Sequence, residues 1–132
     1  MILKVQTHSK TAFIDITHQV QGKIQEAGIE RGCCMIYVPH TTAAVTINES
    51  ADPSVAADIL NALNRMVPRD AGYTHLEGNS SAHIKSTLVG ISEFVAIEEG
   101  RLVLGTWQGI FFCEFDGPRT RKLHIKVLPQ TD

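Results

Sequence analysis

Hydrophobic and polar positions alternate in short runs from the first residues onward. Residues 2–7 and 11–16 are β-like, and the polar His8-Ser9-Lys10 between them predicts a hairpin. After Thr17, placed to cap, the apolar positions Val20, Ile24 and Ala27 recur at helical spacing, with Gly28 as the expected stop. Residues 33–38 form a continuous apolar run between Gly32 and Pro39, the pattern of a buried strand. Proline cannot donate to a sheet ladder, so the strand ends at Pro39 and leaves His40 at its edge. Val45 and Ile47 then alternate with Thr46 and Asn48 as a further strand. Asp52-Pro53 reads as an N-cap followed by proline at the first helical position. It opens a helix whose Val55, Ile59, Leu60, Leu63, Met66 and Val67 face the sheet until Pro68 closes it.

Residues 69–81 carry Asp70, Gly72, Gly78, Asn79 and two serines without usable period, so they read as a loop. A loop of that length in a small domain points to function, and Tyr73, His75, Glu77, His83 and Lys85 stud it and its exit. Two more hairpins are expected. One joins residues 94–98 and 102–105 around Glu99-Gly100-Arg101, and the other joins 109–115 and 122–128 around Asp116-Gly117-Pro118-Arg119. The whole predicts a single α+β domain over residues 1–132, with a mostly antiparallel, β-sandwich-like core and two main helices on one side.

Composition narrows the function classes. With 43% hydrophobic and 20% charged residues and a formal net charge of -2, the chain has no general attraction for polyanions, so nucleic acid is not an expected partner. No apolar run is long enough for a membrane span, and the cytoplasm is the expected compartment. Cys33, Cys34 and Cys113 fit no disulfide framework and no metal spacing, and read as buried free thiols.

The richest chemistry lies in residues 38–52, where one imidazole, His40, and two carboxylates, Glu49 and Asp52, bracket a short strand. Singly, each has a plain reading as turn residue, solvated charge or helix cap. Of six histidines, His8, His18 and His124 read as surface, leaving His40, His75 and His83. If the loop folds back on the strand end, these three imidazoles could hold a divalent zinc-like ion, with Glu49 or Asp52 as base. A lone Trp107 between Gly105 and Gly109, beside Thr106 and Gln108, offers a stacking surface and an amide, or only a bulge. Lys85, Arg119 and Arg121 could receive a phosphate, helped by Ser80, Ser81 and Thr41. Thr41, Asn48, Lys85, Thr106, Trp107, Gln108 and Arg119 are the expected substrate-binding set.

Residues 38–49, Asp52-Pro53, Tyr73 with His75, Glu77-Gly78-Asn79, Ala82-His83-Ile84-Lys85 and residues 100–110 together resemble the small family of secondary thiamine-phosphate synthase enzymes. The resemblance implies a homotrimer with sites near subunit boundaries and a metal-associated pocket of His40, His75 and His83, with Glu49 and Asp52 as acidic partners. It also implies the joining of an aminopyrimidine diphosphate to a thiazole phosphate with release of diphosphate, zinc being the expected metal and magnesium the alternative. Two rivals stand beside it: a metal-dependent hydrolase or lyase of a small phosphorylated metabolite, and a non-catalytic oligomeric metal or ligand binder.

Overall fold

The computed structural model describes residues 1–131. Its strands are β1 (Ile2–Gln6), β2 (Ala12–Asp15), β3 (Gly32–Tyr37), β4 (Ala43–Glu49), β5 (Ser92–Glu98), β6 (Arg101–Leu102), β7 (Gln108–Glu114) and β8 (Thr120–Pro129). Its helices are α1 (Thr17–Ala27), α2 (Pro53–Met66) and α3 (Ser80–Val89). A five-stranded sheet in the order β1-β8-β3-β5-β6 faces a three-stranded sheet in the order β2-β7-β4. Every pairing is antiparallel.

The alternation along β7 serves two cores at once. Ile110 and Phe112 point between the sheets, where they join Ile36, Val45, Leu123, Ile125 and the α1 residues Val20 and Ile24. Phe111 and Cys113 point the other way, into a smaller cluster with Ala44, Ala82 and Phe115 against which Leu60 and Leu63 of α2 pack. A side-chain period of two therefore makes β7 buried on both faces, with the second sheet sandwiched between the first and the helices.

Several local expectations hold for visible reasons. Gly28 adopts φ 67° and ends α1 in the left-handed conformation. Asp52 caps α2 through Oδ1, which accepts the Ser54 N–H at 2.9 Å, with Pro53 at the first helical position. The turn between β5 and β6 uses positive φ at both Glu99 and Gly100, as a two-residue hairpin demands.

Two predicted hairpins do not form. β1 pairs with β8 in the large sheet while β2 pairs with β7 in the small one, so residues 7–11 cross between sheets. The turn through Gly117-Pro118 likewise carries the chain from β7 in one sheet to β8 in the other. Short polar connections suit either topology, and only the register of the partner strands decides. A third helix, α3, occupies the exit of the predicted loop. Its buried positions are small or polar, Ser81, Ala82, Lys85 and Ser86, so no apolar stripe announced it. Met66, expected on the sheet-facing side of α2, is 70% exposed because it lies at the fraying end of that helix. Cys34 and Cys113 are buried free thiols, and Cys33 is only partly covered. No helix among the described residues is long and apolar enough to cross a membrane.

Candidate functional site

Pro39 ends the course of β3, and the turn through His40, Thr41 and Thr42 leads into β4. That turn lies against the Asp116–Arg119 corner, and the two are tied together from beneath by a buried ion pair. Arg121 donates through Nε to both Glu114 oxygens, at 2.9 and 3.0 Å, and through Nη2 to the Thr42 hydroxyl at 2.8 Å and the Thr42 carbonyl at 3.2 Å. Glu114 accepts further from the Thr7 hydroxyl and from the N–H groups of Phe115 and Asp116, so its lone pairs are filled. A charge this deep is tolerable only with such a full set of partners.

Above the pair lies a cleft of about 500 Å³ whose polar lining consists of His40, Thr41, Thr42, Arg119 and Arg121, together with Tyr37. No carboxylate lines it. His40 is oriented by the backbone: its Nε2 accepts the Lys122 N–H at 3.0 Å. The proton of the neutral ring is therefore on Nδ1, which makes that atom a donor. Burial, and after it the Arg121 guanidinium, push the His40 pKa below its usual value, which keeps the ring neutral.

Arg119 and Thr41 form the ridge between this cleft and a second of about 450 Å³, which also takes in Lys10, Asn79, His75 and His83. Asp116 on its wall is already engaged by Lys10 at 2.6 Å, by Asn79 Nδ2 at 3.0 Å and by Arg119 Nη2 at 3.1 Å. Burial works to raise the Asp116 carboxyl, but these partners outweigh it and hold it below the ordinary range. Donating to Asp116 fixes the orientation of the Asn79 amide, and its Oδ1 is left buried without a partner.

The structure brings together only part of the predicted site. His75 and His83 meet edge-to-face with ring centroids 5.5 Å apart, and His40 and His83 border one groove of about 430 Å³. The loop thus folds back near the strand end. The imidazoles do not fit a three-ligand metal centre, however. Among the described residues no three His, Cys, Asp or Glu side chains are grouped to hold an ion, and Nε2 of His40 is committed to the backbone.

Glu49 and Asp52 sit at the opposite end of β4. Its seven residues, at about 3.3 Å each, put roughly 20 Å between them and His40. Within this chain they are not part of the cleft. Asn48, Thr106, Trp107 and Gln108 belong to that far end as well, since Glu49 pairs with Gln108. The Gln108 Oε1 accepts the Gly105 N–H at 2.7 Å, and Trp107 is 62% exposed. Lys85 turns inward, donating to Asn64 Oδ1 at 2.6 Å with its ammonium 5.9 Å from the Phe115 ring centroid, and burial lowers its pKa. Of the expected substrate-binding set only Thr41 and Arg119 line the cleft. Lys10, Thr42, Asn79 and Glu114 were not legible, because each acts through partners more than thirty positions away.

A small antiparallel α+β domain with a hydroxyl-rich, cationic cleft where its two sheets meet is the class that fold and site define. Residues 1–130 match the family described as UPF0047 protein YjbQ-like, and the chain belongs to that family. It is 51% identical over 127 residues to the UPF0047 protein YugU of Bacillus subtilis, covering 96% of each chain. It is also 51% identical over 125 residues to a UPF0047 protein of Methanocaldococcus jannaschii, covering 95% of this chain and 91% of that protein. Among solved structures, a YjbQ/UPF0047 family protein of Clostridium acetobutylicum superposes with a TM-score of 0.94 at 48% identity, over 97% of this chain and 99% of the other. A YbjQ-like protein of unknown function from Sulfolobus solfataricus gives a TM-score of 0.94 at 34% identity, covering 98% of this chain and 96% of that one.

These relatives correct the family resemblance drawn from the sequence. They place the chain with UPF0047 proteins, and none of their descriptions names thiamine-phosphate synthase. The expectations of thiamine biosynthesis, transferase chemistry and a zinc centre fall with it. The metal-dependent hydrolase or lyase reading rested on the same three imidazoles and loses its ligand set, and nothing favours the non-catalytic metal binder in its place.

Proposed function

We propose that the cleft over Arg121 binds the phosphate of a small phosphorylated metabolite. One observation carries this: the guanidinium groups of Arg119 and Arg121, each backed by a carboxylate, line with His40 and two threonines a cavity that has no carboxylate of its own. Phosphate rewards that donor set, because guanidinium hydrogen bonds to its oxygens are charge-assisted and directional. Glu114 neutralises Arg121 from behind, so the buried cation is tolerated while its anchored side chain holds Thr42 in place.

Calorimetric titration with inorganic phosphate tests the reading. The unmodified protein is expected to bind, and Arg119→Gln to weaken binding about ten- to a hundredfold, the loss typical of a charged hydrogen-bonding group. Equal affinity in the two proteins would overturn it.

Self-association has separate support. The outer face of the five-stranded sheet exposes Ile2, Tyr37, Phe94 and Leu128 between Lys4, Lys122 and Lys126, apolar side chains that a further copy of this chain would cover. Phe94→Lys is expected to lower the mass measured by light scattering, and an unchanged mass would contradict this use of the face.

A further inference from the structure

We infer that the organic part of the bound phosphate ester is apolar, and that it lies in the cavity between the 72–75 loop and the start of α3. This rests on the phosphate reading and names the ligand class for the same site. The cavity, about 530 Å³, is walled by Tyr73, Thr74 and Ile84 together with His75 and His83. The two histidines also border the second cleft, whose wall carries the Glu77 and Asp116 carboxylates beside Lys10, Arg69 and Arg119, and that cleft meets the phosphate cleft at the ridge of Arg119 and Thr41. Tyr73 spends its hydroxyl on its own loop, donating to the Pro68 carbonyl at 2.6 Å, and what it offers the cavity is its ring. Ile84 adds an aliphatic surface that the fold leaves partly uncovered.

Continuity settles the order of groups along the ligand. The ridge of Arg119 and Thr41 takes the phosphate, the edge-to-face pair of His75 and His83 flanks the ester linkage, and an apolar or aromatic body rests on Tyr73 and Ile84. A sugar or polyol phosphate would lay hydroxyls against the Tyr73 ring and Ile84, with the Thr74 and Ser80 side chains at the edge of the cavity as their partners, at a cost in desolvation for the rest. A flat ring fits better, because the faces of Tyr73 and His83 stack on it without requiring hydrogen bonds.

The experiment compares inorganic phosphate, glycerol phosphate and phenyl phosphate by calorimetric titration of the full chain. Phenyl phosphate is expected to bind at least about tenfold tighter than the other two, the ratio that burying roughly 50–60 Å² of apolar surface supplies. In Ile84→Asp that preference is expected to vanish. Tyr73→Ala provides a second variant on the opposite wall. If inorganic phosphate fails to bind the unmodified protein, the phosphate reading itself is wrong. If it binds but phenyl phosphate gains nothing, only the present inference fails. A ring preference that survives in both variants overturns the cavity as its seat, as does an unchanged preference accompanied by a fall in oligomer mass in Ile84→Asp, which would show a second copy covering this wall.

Discussion

Arg121 and Glu114 form an ion pair wholly inside the protein, at the point where the two sheets meet. Glu114 closes β7 in the small sheet and Arg121 is the second residue of β8 in the large one, so the pair fastens one sheet to the other beneath the cleft. Removing one partner strands the other charge. Glu114→Ala is expected to cost about 3–5 kcal/mol in urea unfolding, whereas the double variant Glu114→Gln/Arg121→Met should recover much of that loss. Equal losses in both would show that the pair is not coupled.

The same pair sets an acid limit. Burial acts to raise the Glu114 carboxyl, but hydrogen bonds from Arg121, Thr7 and the Asp116 N–H hold it below its ordinary value. A folded pKa below the unfolded one, about 4.3 for glutamate, gives stabilisation that is complete above the unfolded value and lost as pH falls through the folded one. Unfolding free energy should therefore decline on acidification below about pH 4, with a shallower slope in the double variant. A slope identical in both proteins would remove Glu114 from the titration.

His40 titrates in the opposite region of the scale. Its folded pKa lies below the usual value, through burial first and Arg121 second, so its contribution is present above the unfolded value near 6.5 and fades as pH falls toward the folded one. Nitrogen-resolved NMR at neutral pH should show Nδ1 protonated and Nε2 bare. A ring protonated on Nε2 would break the bond to Lys122 and, with it, the donor assigned to the cleft.

At the far end of β4, Asp52 works as a helix cap. Its carboxyl is held low by the Ser54 hydroxyl and then the Ser54 N–H. Asp52→Ala should lower the melting temperature by a few degrees and leave phosphate affinity untouched, and Glu49→Gln should likewise leave that affinity untouched. A fall in affinity with either would return these carboxylates to the site.

Gly109 lies where β7 passes under Ser50 and Thr17. A Cβ there would stand 2.5 Å from Ser50 Cβ and 3.1 Å from Thr17 Oγ1, the atom that accepts the Ile110 N–H. Gly109→Ala is expected to cost about 1–3 kcal/mol by overpacking, and thermal unfolding unchanged from the parent would contradict this close approach.

The sequence made the elements legible where a single residue decides them. Asp52-Pro53 starts α2, Gly28 stops α1, and Glu99-Gly100 turns β5 into β6, each by local backbone chemistry. Sheet membership was not legible, because β1 with β2 and β7 with β8 are adjacent in the chain yet separated by pairing partners about a hundred residues off. For the same reason the site was half visible. His40, Thr41, His83 and Arg119 drew notice as isolated chemistry, but which carboxylates stood near them depended on the length of β4, and that carried Glu49 and Asp52 away. Alternation along β8 puts Arg121 on the inward face with Leu123 and Ile125, a signal that the charge of its side chain masked, and nothing local named Glu114 as its partner.

The most direct test is a crystal structure of the protein grown with inorganic phosphate. The expected result is an anion within hydrogen-bond reach of the Arg119 guanidinium, the Thr41 hydroxyl and Nδ1 of His40. An anion bound elsewhere, or a metal ion drawing His40, His75 and His83 together with Nε2 of His40 released from Lys122, would contradict it.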